Sequence, residues 1–237
     1  MPSAARAVDD PAGVAETVEE AILSRRSIRA YTGRAVPREL IQRLLELAGR
    51  APSGNNIQPW RAYVFTGKPL EALGRAMQEA FLSDQPGHGR EYEYYTDPLV
   101  EPYLGRRRAC GWGLYGLLGI GRGDFAASRA YHATNYNFFG APAGLVFTID
   151  RKLAVGSWLD YGMFLGTLMV AARGFGLATC PEASIASYPK IVRAHAGIGE
   201  DEIVVCGMAL GYPRADAPIN GFQPERIDPS EFAIFIG

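Results

Sequence analysis

The chain has 237 residues with 24 basic and 25 acidic side chains and a formal charge of −1, a balance that argues against a polyanion-binding surface and against nucleic acid as a partner. Cys110, Cys180 and Cys206 are an odd set without CxxC spacing, and His88, His132 and His195 lack any HExxH or HxxxH grouping, so neither a disulfide framework nor a zinc site is supported. The length fits one compact domain with a full core.

Residues 1–13 read as a small, polar N-terminal arm ahead of a single domain over 14–237. The start lacks the apolar h-region of a secretory signal. Apolar stretches such as 163–172 are too short and too glycine-punctuated to span a bilayer, so the expectation is a cytoplasmic protein without a membrane partner. Asp10 and Pro11 suit a cap and first helical residue. Val14, Val18 and Ile22 then repeat at fourfold spacing, predicting an amphipathic helix that delivers SRRSIRAYTG at its C-terminal end. After Val36-Pro37, a second helix carries Leu40, Leu44 and Leu47 or Ala48 and stops before Pro52. APSGNNIQP is a loop, Trp60 to Phe65 a strand, and Lys68-Pro69 reopens a helix to about Leu82. Residues 83–137 form an aromatic-rich excursion, partly helical, expected to act as a lid.

Order returns in the strand-like run Gly144–Ile149, followed by a long apolar helix from Ser157 to Arg173. A short helix over Tyr188–Ala196, a buried strand over Glu202–Leu210 and a strand-like tail, EFAIFIG, complete the chain. This order predicts a mixed α/β or α+β core with helices on both faces, without regular β-α alternation.

Gly111-Trp-Gly113-Leu-Tyr-Gly116 spells GxGxxG, but the preceding LGRRRAC is not a strand and Asp124 comes too early for a ribose-binding acid. A Rossmann site is therefore disfavoured. The arginines of SRRSIRAYTG are more telling. No acidic residue stands three or four positions from Arg25, Arg26 or Arg29, and Ser27 adds a hydroxyl donor among the guanidinium groups. A phosphate needs this combination, since each charge-assisted hydrogen bond contributes about 1.5–3 kcal/mol.

RRSIRAY, APSGNNIQPW, GLATCPEAS and VCGMALGYP occur in this order, and together they resemble the nitroreductase family of FMN-dependent oxidoreductases. The resemblance runs from about Ala15 to the C-terminus and is weak over 83–137. It implies an α+β fold, a three-layer α-β-α sandwich with a mixed, mostly antiparallel sheet, built as an intertwined homodimer with C-terminal strand exchange. It also implies that Arg25, Arg26 and Ser27 hold the FMN phosphate, with Arg226 completing that pocket. Arg29 would reach the pyrimidine edge near N1 and the C2 carbonyl, where a fixed cation favours the reduced ring, and Asn137 would contact the same edge. Pro52, Ser53, Gly54 and Asn56 would reach the flavin of the other subunit. Pro181, Glu182, Ala183 and Ser184 would lie against the ring, with a backbone N–H at Ala183 or Ser184 donating to N5. Taken alone, PSGNN is an ordinary turn, Glu182 a solvated loop carboxylate and Cys180 a packing residue.

The implied reaction is ping-pong hydride transfer from NAD(P)H through the flavin to a small electron-poor acceptor, a nitroaromatic or quinone, with protons drawn from solvent. Tyr92, Tyr94, Tyr95, Trp112, Phe138 and Phe139 are candidates for a stacking wall. A flavin-binding storage or sensing protein without turnover, or a relative that dehalogenates, reduces enones or fragments the flavin, are alternatives the sequence leaves open.

Overall fold

Two strands that are apolar on both faces set the architecture. β2 (Ala143–Asp150) and β4 (Glu202–Gly211) pair antiparallel at the centre of a four-stranded sheet, and all ten residues of β4 are buried. β1 (Arg61–Thr66) pairs with β2, and β3 (Ala178–Glu182) pairs with β4, giving the order β1-β2-β4-β3 with every neighbour antiparallel. This computed structural model describes residues 12–237, so Asp10, Pro11 and most of the expected arm lie outside the described residues.

A strand apolar on both sides must be covered on both sides, and side-chain alternation sorts the cover into two cores. Leu145, Phe147 and Ile149 face Leu44 and Ala48 of α2 (Arg38–Ala48) and Tyr161, Phe164 and Leu168 of α6 (Val155–Arg173). Val146, Val204 and Ala209 face Leu73 and Met77 of α3 (Gly67–Leu82) and Val192 of α7 (Pro189–Ala196). The result is the expected α-β-α sandwich. Gly207 is required for the second core, because a Cβ there would stand 2.5 Å from Ile185 Cγ1. By length and composition α6 is apolar enough to cross a membrane, yet its buried face is the sheet's own cover.

Several expectations need correction. α1 (Val18–Ser24) opens at Thr17 with a capping box to Glu20, and its buried residues are Glu20, Ala21 and Ser24; Val14, Val18 and Ile22 are exposed. The stripe at fourfold spacing is therefore not the face this helix buries. β3 carries no strand pattern in the sequence because Pro181 interrupts it, but an edge strand tolerates proline. GWGLYG lies inside α4 (Tyr103–Leu117), not between a strand and a helix, which removes the Rossmann alternative. The tail is not a strand in the isolated chain: Pro229–Phe232 forms the short helix α8, capped by Asp228 and closed by the Ala233 N–H donating to the Pro229 carbonyl at 2.8 Å, and residues 233–237 form no strand. The excursion supplies α4 and α5 (Phe125–Ala133).

Candidate functional site

The residues that follow α1 run along the free edge of β3. Ser27 bridges to Thr179 in parallel, and the Ile28 N–H donates to the Thr179 carbonyl at 3.0 Å. From the other side the loop is held by Asn220, in the single turn Pro218–Gly221. Its Oδ1 accepts from the N–H of Arg29 at 2.9 Å and of Ala30 at 3.1 Å, while its Nδ2 donates to the carbonyls of Ala30 at 2.7 Å and Arg214 at 2.9 Å. All the hydrogen-bonding capacity of a buried carboxamide is thereby used. Asn220 carries no signal in the sequence, where Asn-Gly in Pro218-Ile-Asn-Gly221 reads as a plain turn.

Among the described residues, neither Arg25 nor Arg29 makes an ion pair. Burial lowers the Arg25 pKa, and the cation of Arg226, from the opposite end of the chain, lowers it further. Arg226 itself is exposed and donates to the Pro224 and Glu225 carbonyls at 2.8 and 3.1 Å, which leaves part of its fork available. Arg26 is buried, with its Nη1 3.5 Å from the Asn220 carbonyl oxygen. Arg29 donates to the Ser27 carbonyl at 3.1 Å and stands 6.0 Å above the Phe139 ring.

At the end of β3 the polar groups are buried and unmet. Glu182 is not a solvated loop carboxylate: it is 3 % exposed, and neither oxygen has a hydrogen-bond partner. Burial pushes its carboxyl well above the usual range, with the Ala209 amide and the Arg29 cation opposing that shift. Ser184 Oγ, Thr179 Oγ1 and Asn137 Oδ1 are likewise buried without partners, as is the Tyr131 hydroxyl, which feels both Arg29 and Glu182. Cys180 is a buried thiol pushed up to about 12 by desolvation, which makes it inert, as its packing role requires. Pro181, Glu182 and Ala183 form one wall of a cleft of about 600 Å³ whose other wall includes Tyr92, Tyr94 and Trp158.

The structure therefore brings Arg25, Ser27, Arg29, Glu182 and Arg226 to one edge of the sheet. It does not bring the Pro52–Asn56 block there. Gly54 donates its N–H to Asp160 of α6 at 3.1 Å, and Ser53 Oγ accepts from the Gln58 N–H at 3.0 Å. Pro52, Gly54 and Asn56 are exposed, and Asn55, Asn56 and Gln58 hold left-handed φ values of 48°, 59° and 51°, which fixes a polar knuckle on the surface. The proposed aromatic wall divides as well. Phe138 is fully buried in the core and Trp112 is exposed with Arg122 stacked 4.6 Å from its ring, whereas Tyr92 and Tyr94 line the cleft.

The family model described as the Nitroreductase family matches residues 22–212. A 4-nitrobenzoate reductase of Pseudomonas putida is 37% identical over 216 residues, covering 91% of this chain and 94% of that protein. The crystal structure of the FMN and NADPH-dependent nitroreductase NfnB of Sphigopyxis sp. strain HMH superposes with a TM-score of 0.90 at 38% identity, over 93% of this chain and 99% of that one. NfnB of Mycobacterium smegmatis, solved in complex with NADPH, gives a TM-score of 0.88 at 30% identity, over 92% of this chain and 97% of that one. The chain belongs to the nitroreductase family.

Proposed function

We propose that this protein is an FMN-dependent oxidoreductase that takes a hydride from NADPH and delivers it to a nitroaromatic acceptor. The observation that carries this reading is that Arg25, half-buried beside the run that bridges β3 and near enough to Arg226 for that cation to lower its pKa, makes no ion pair among the described residues. Two cations brought together against their mutual repulsion call for an anion, and a phosphate monoester supplies the charge and acceptor oxygens that match an arginine fork.

The remaining residues fit the rest of such a ligand. Arg25, Arg26, Ser27 and Arg226 would hold the phosphate. Arg29 and Asn137 would meet the polar edge of the ring, Asn137 through an oxygen that has no partner within the chain. The backbone N–H groups at Ala183 and Ser184 would face its reactive nitrogen, beside the wall formed by Pro181 and Glu182. When bound, FMN supplies the hydride relay between NADPH and acceptor, which no side chain of the site can perform. The protein orients the ring, compensates the charge it gains on reduction through Arg29, and shapes the cleft with Tyr92 and Tyr94.

We also infer a homodimer in which Pro52, Ser53, Gly54 and Asn56 of each subunit close the site of the other. Three features support it. Val155 and Leu159 of α6 are exposed, the Val18 and Ile22 stripe of α1 is bare, and Ile234, Phe235 and Ile236 of the tail are 89, 93 and 96 % exposed. Consecutive apolar side chains left so fully in water mark a segment that pairs elsewhere. The three cysteines are free thiols, which suits a reducing, cytoplasmic setting.

The phosphate assignment is tested by titrating the apoprotein with FMN and with riboflavin. Riboflavin has the same ring without the phosphate, and the assignment requires it to bind at least about a hundredfold more weakly; equal affinities would remove the basis for it.

A further inference from the structure

Residues 83–102 contain no helix or strand, so the course of this stretch is set by its side chains and not by a backbone ladder. Its firmest anchor is Glu91. The carboxylate accepts from Arg151 Nη2 at 2.6 Å and from Arg193 Nη2 at 2.9 and 3.1 Å. Arg193, on α7, is buried and also donates to the carbonyls of Gly199 at 3.3 Å and of Glu202; Arg151, which follows β2, donates to the carbonyls of Glu200 at 2.9 Å and Glu202 at 3.3 Å. Both guanidinium groups are thus fixed by the turn that leads into β4, and through them Glu91 is clamped to the sheet. Burial opposes ionisation of Glu91, yet the hydrogen bonds from the two arginines outweigh it and hold the carboxyl below its ordinary range.

The residues that follow this clamp form a partition. Tyr92, Glu93 and Tyr94 line two cavities at once, the aromatic cleft of about 600 Å³ against Val155, Trp158 and Cys206, and a second of about 640 Å³ against Asp84, His88, Arg90 and Tyr188. Tyr92 seals the division, since its hydroxyl donates to the Val205 carbonyl and its ring lies 4.7 Å from that of Trp158. The second cavity differs in chemistry from the first. Arg90 makes no ion pair among the described residues and stands 5.5 Å from the Tyr94 ring, His88 Nδ1 has no hydrogen-bond partner, and Asp84 already pairs with Arg129 at 2.8 Å. A long acceptor with an anionic end would meet a cation there, but only past the run from Tyr92 to Tyr94.

We propose that Glu91 is a positioning residue for acceptor selectivity: held by Arg151 and Arg193, it keeps residues 92–94 closed as a partition and so confines acceptors to the aromatic cleft. This rests on the flavin-dependent reduction of nitroaromatics proposed above. Glu91 is absent from the lining of both cavities, so it acts through Tyr92 and Tyr94. The selectivity is of the excluding kind, because the partition denies a longer molecule the Arg90 cavity without adding a contact to a short one.

Two acceptors with the same nitro group and carboxylate, 4-nitrobenzoate and 4′-nitrobiphenyl-4-carboxylate, differ by one ring and read the partition directly. Glu91→Gln keeps the volume of the side chain but not the charge that the two arginines grip. The ratio of kcat/KM for the short acceptor to that for the long one should fall at least about tenfold in this variant, through KM, with kcat for 4-nitrobenzoate within about threefold of wild type. Glu91→Asp, which keeps the charge, should recover part of the ratio. Arg151→Ala should shift it in the same direction by less; the Arg151 side chain is 42 % exposed, so this variant reads the clamp even if Glu91→Gln folds poorly. Lost stability alone lowers the amount of active enzyme and hence both rates alike, which leaves the ratio where it was. An unchanged ratio in Glu91→Gln and Arg151→Ala, or equal losses toward both acceptors, would overturn the proposal and leave the flavin reading standing. A wild-type protein that oxidises NADPH with neither acceptor would instead fail the flavin reading, and the proposal with it.

Discussion

Asn220 Oδ1 accepts the Arg29 backbone N–H at 2.9 Å, a contact between residues 191 positions apart. The segment after β4 thus holds the arginine loop that follows α1, so the two parts of the proposed phosphate site are tied together. Asn220→Ala removes four hydrogen bonds from a buried junction and leaves the N–H groups of Arg29 and Ala30 unmet. The expected loss is about 2–3 kcal/mol of unfolding free energy, measured by denaturant titration, with weaker FMN retention because the arginines lose their aim.

Arg226→Ala should act with opposite sign on the empty and loaded protein. Without ligand it relieves the repulsion with Arg25, so the apoprotein melts no lower than wild type. With ligand it removes one or more charge-assisted bonds of about 1.5–3 kcal/mol each, which corresponds to a tenfold to hundredfold weaker FMN affinity. Calorimetry on both forms separates these effects. Arg29→Ala, by contrast, should leave affinity less affected and lower the flavin's reduction potential, since in the proposed assignment its charge would face the ring's polar edge and not the phosphate.

Glu182 predicts a pH effect on stability. Its carboxyl is raised in the folded state, so the folded chain holds a proton that the unfolded chain has released above the ordinary carboxylate range. The stabilising contribution is complete below that range and is lost as pH rises toward the folded value, by up to about 1.4 kcal/mol per pH unit. Glu182→Gln cannot ionise. The Tm difference between this variant and wild type should therefore grow in favour of the variant from pH 5 to pH 8.

Much of this architecture is written in local pattern. GLVFTI and IVVCGMAL are continuous apolar runs that only a sheet covered on both faces can satisfy, and the helices over Gly67–Leu82 and Val155–Arg173 follow from length and periodicity. Pro181 hid β3, because proline depresses any strand signal although an edge position accepts it. The absence of ion-pair partners for Arg25 and Arg29 was legible because the lack of acidic neighbours is a sequence property. Asn220 and Tyr131 were not, since their importance lies in what the fold places opposite them. The burial of Glu182 was hidden for the same reason.

The tail supplies a prediction about assembly. With Ile234, Phe235 and Ile236 bare in the single chain, removal of residues 230–237 should lower dimer stability without unfolding the subunit, because among the described residues α8 contributes nothing to either core. Sedimentation velocity at falling protein concentration measures this: the truncated protein should dissociate at concentrations where the full chain remains dimeric.

The central claim is a flavin held at the β3 edge and turned over by NADPH and a nitroaromatic. Anaerobic absorbance spectroscopy of the purified protein tests it most directly. The account predicts a yellow protein that NADPH bleaches stoichiometrically and that recovers its oxidised spectrum when 4-nitrobenzoate or a similar nitroaromatic is added; a colourless protein that does not bind added FMN, or a flavin that NADPH cannot bleach, would contradict it.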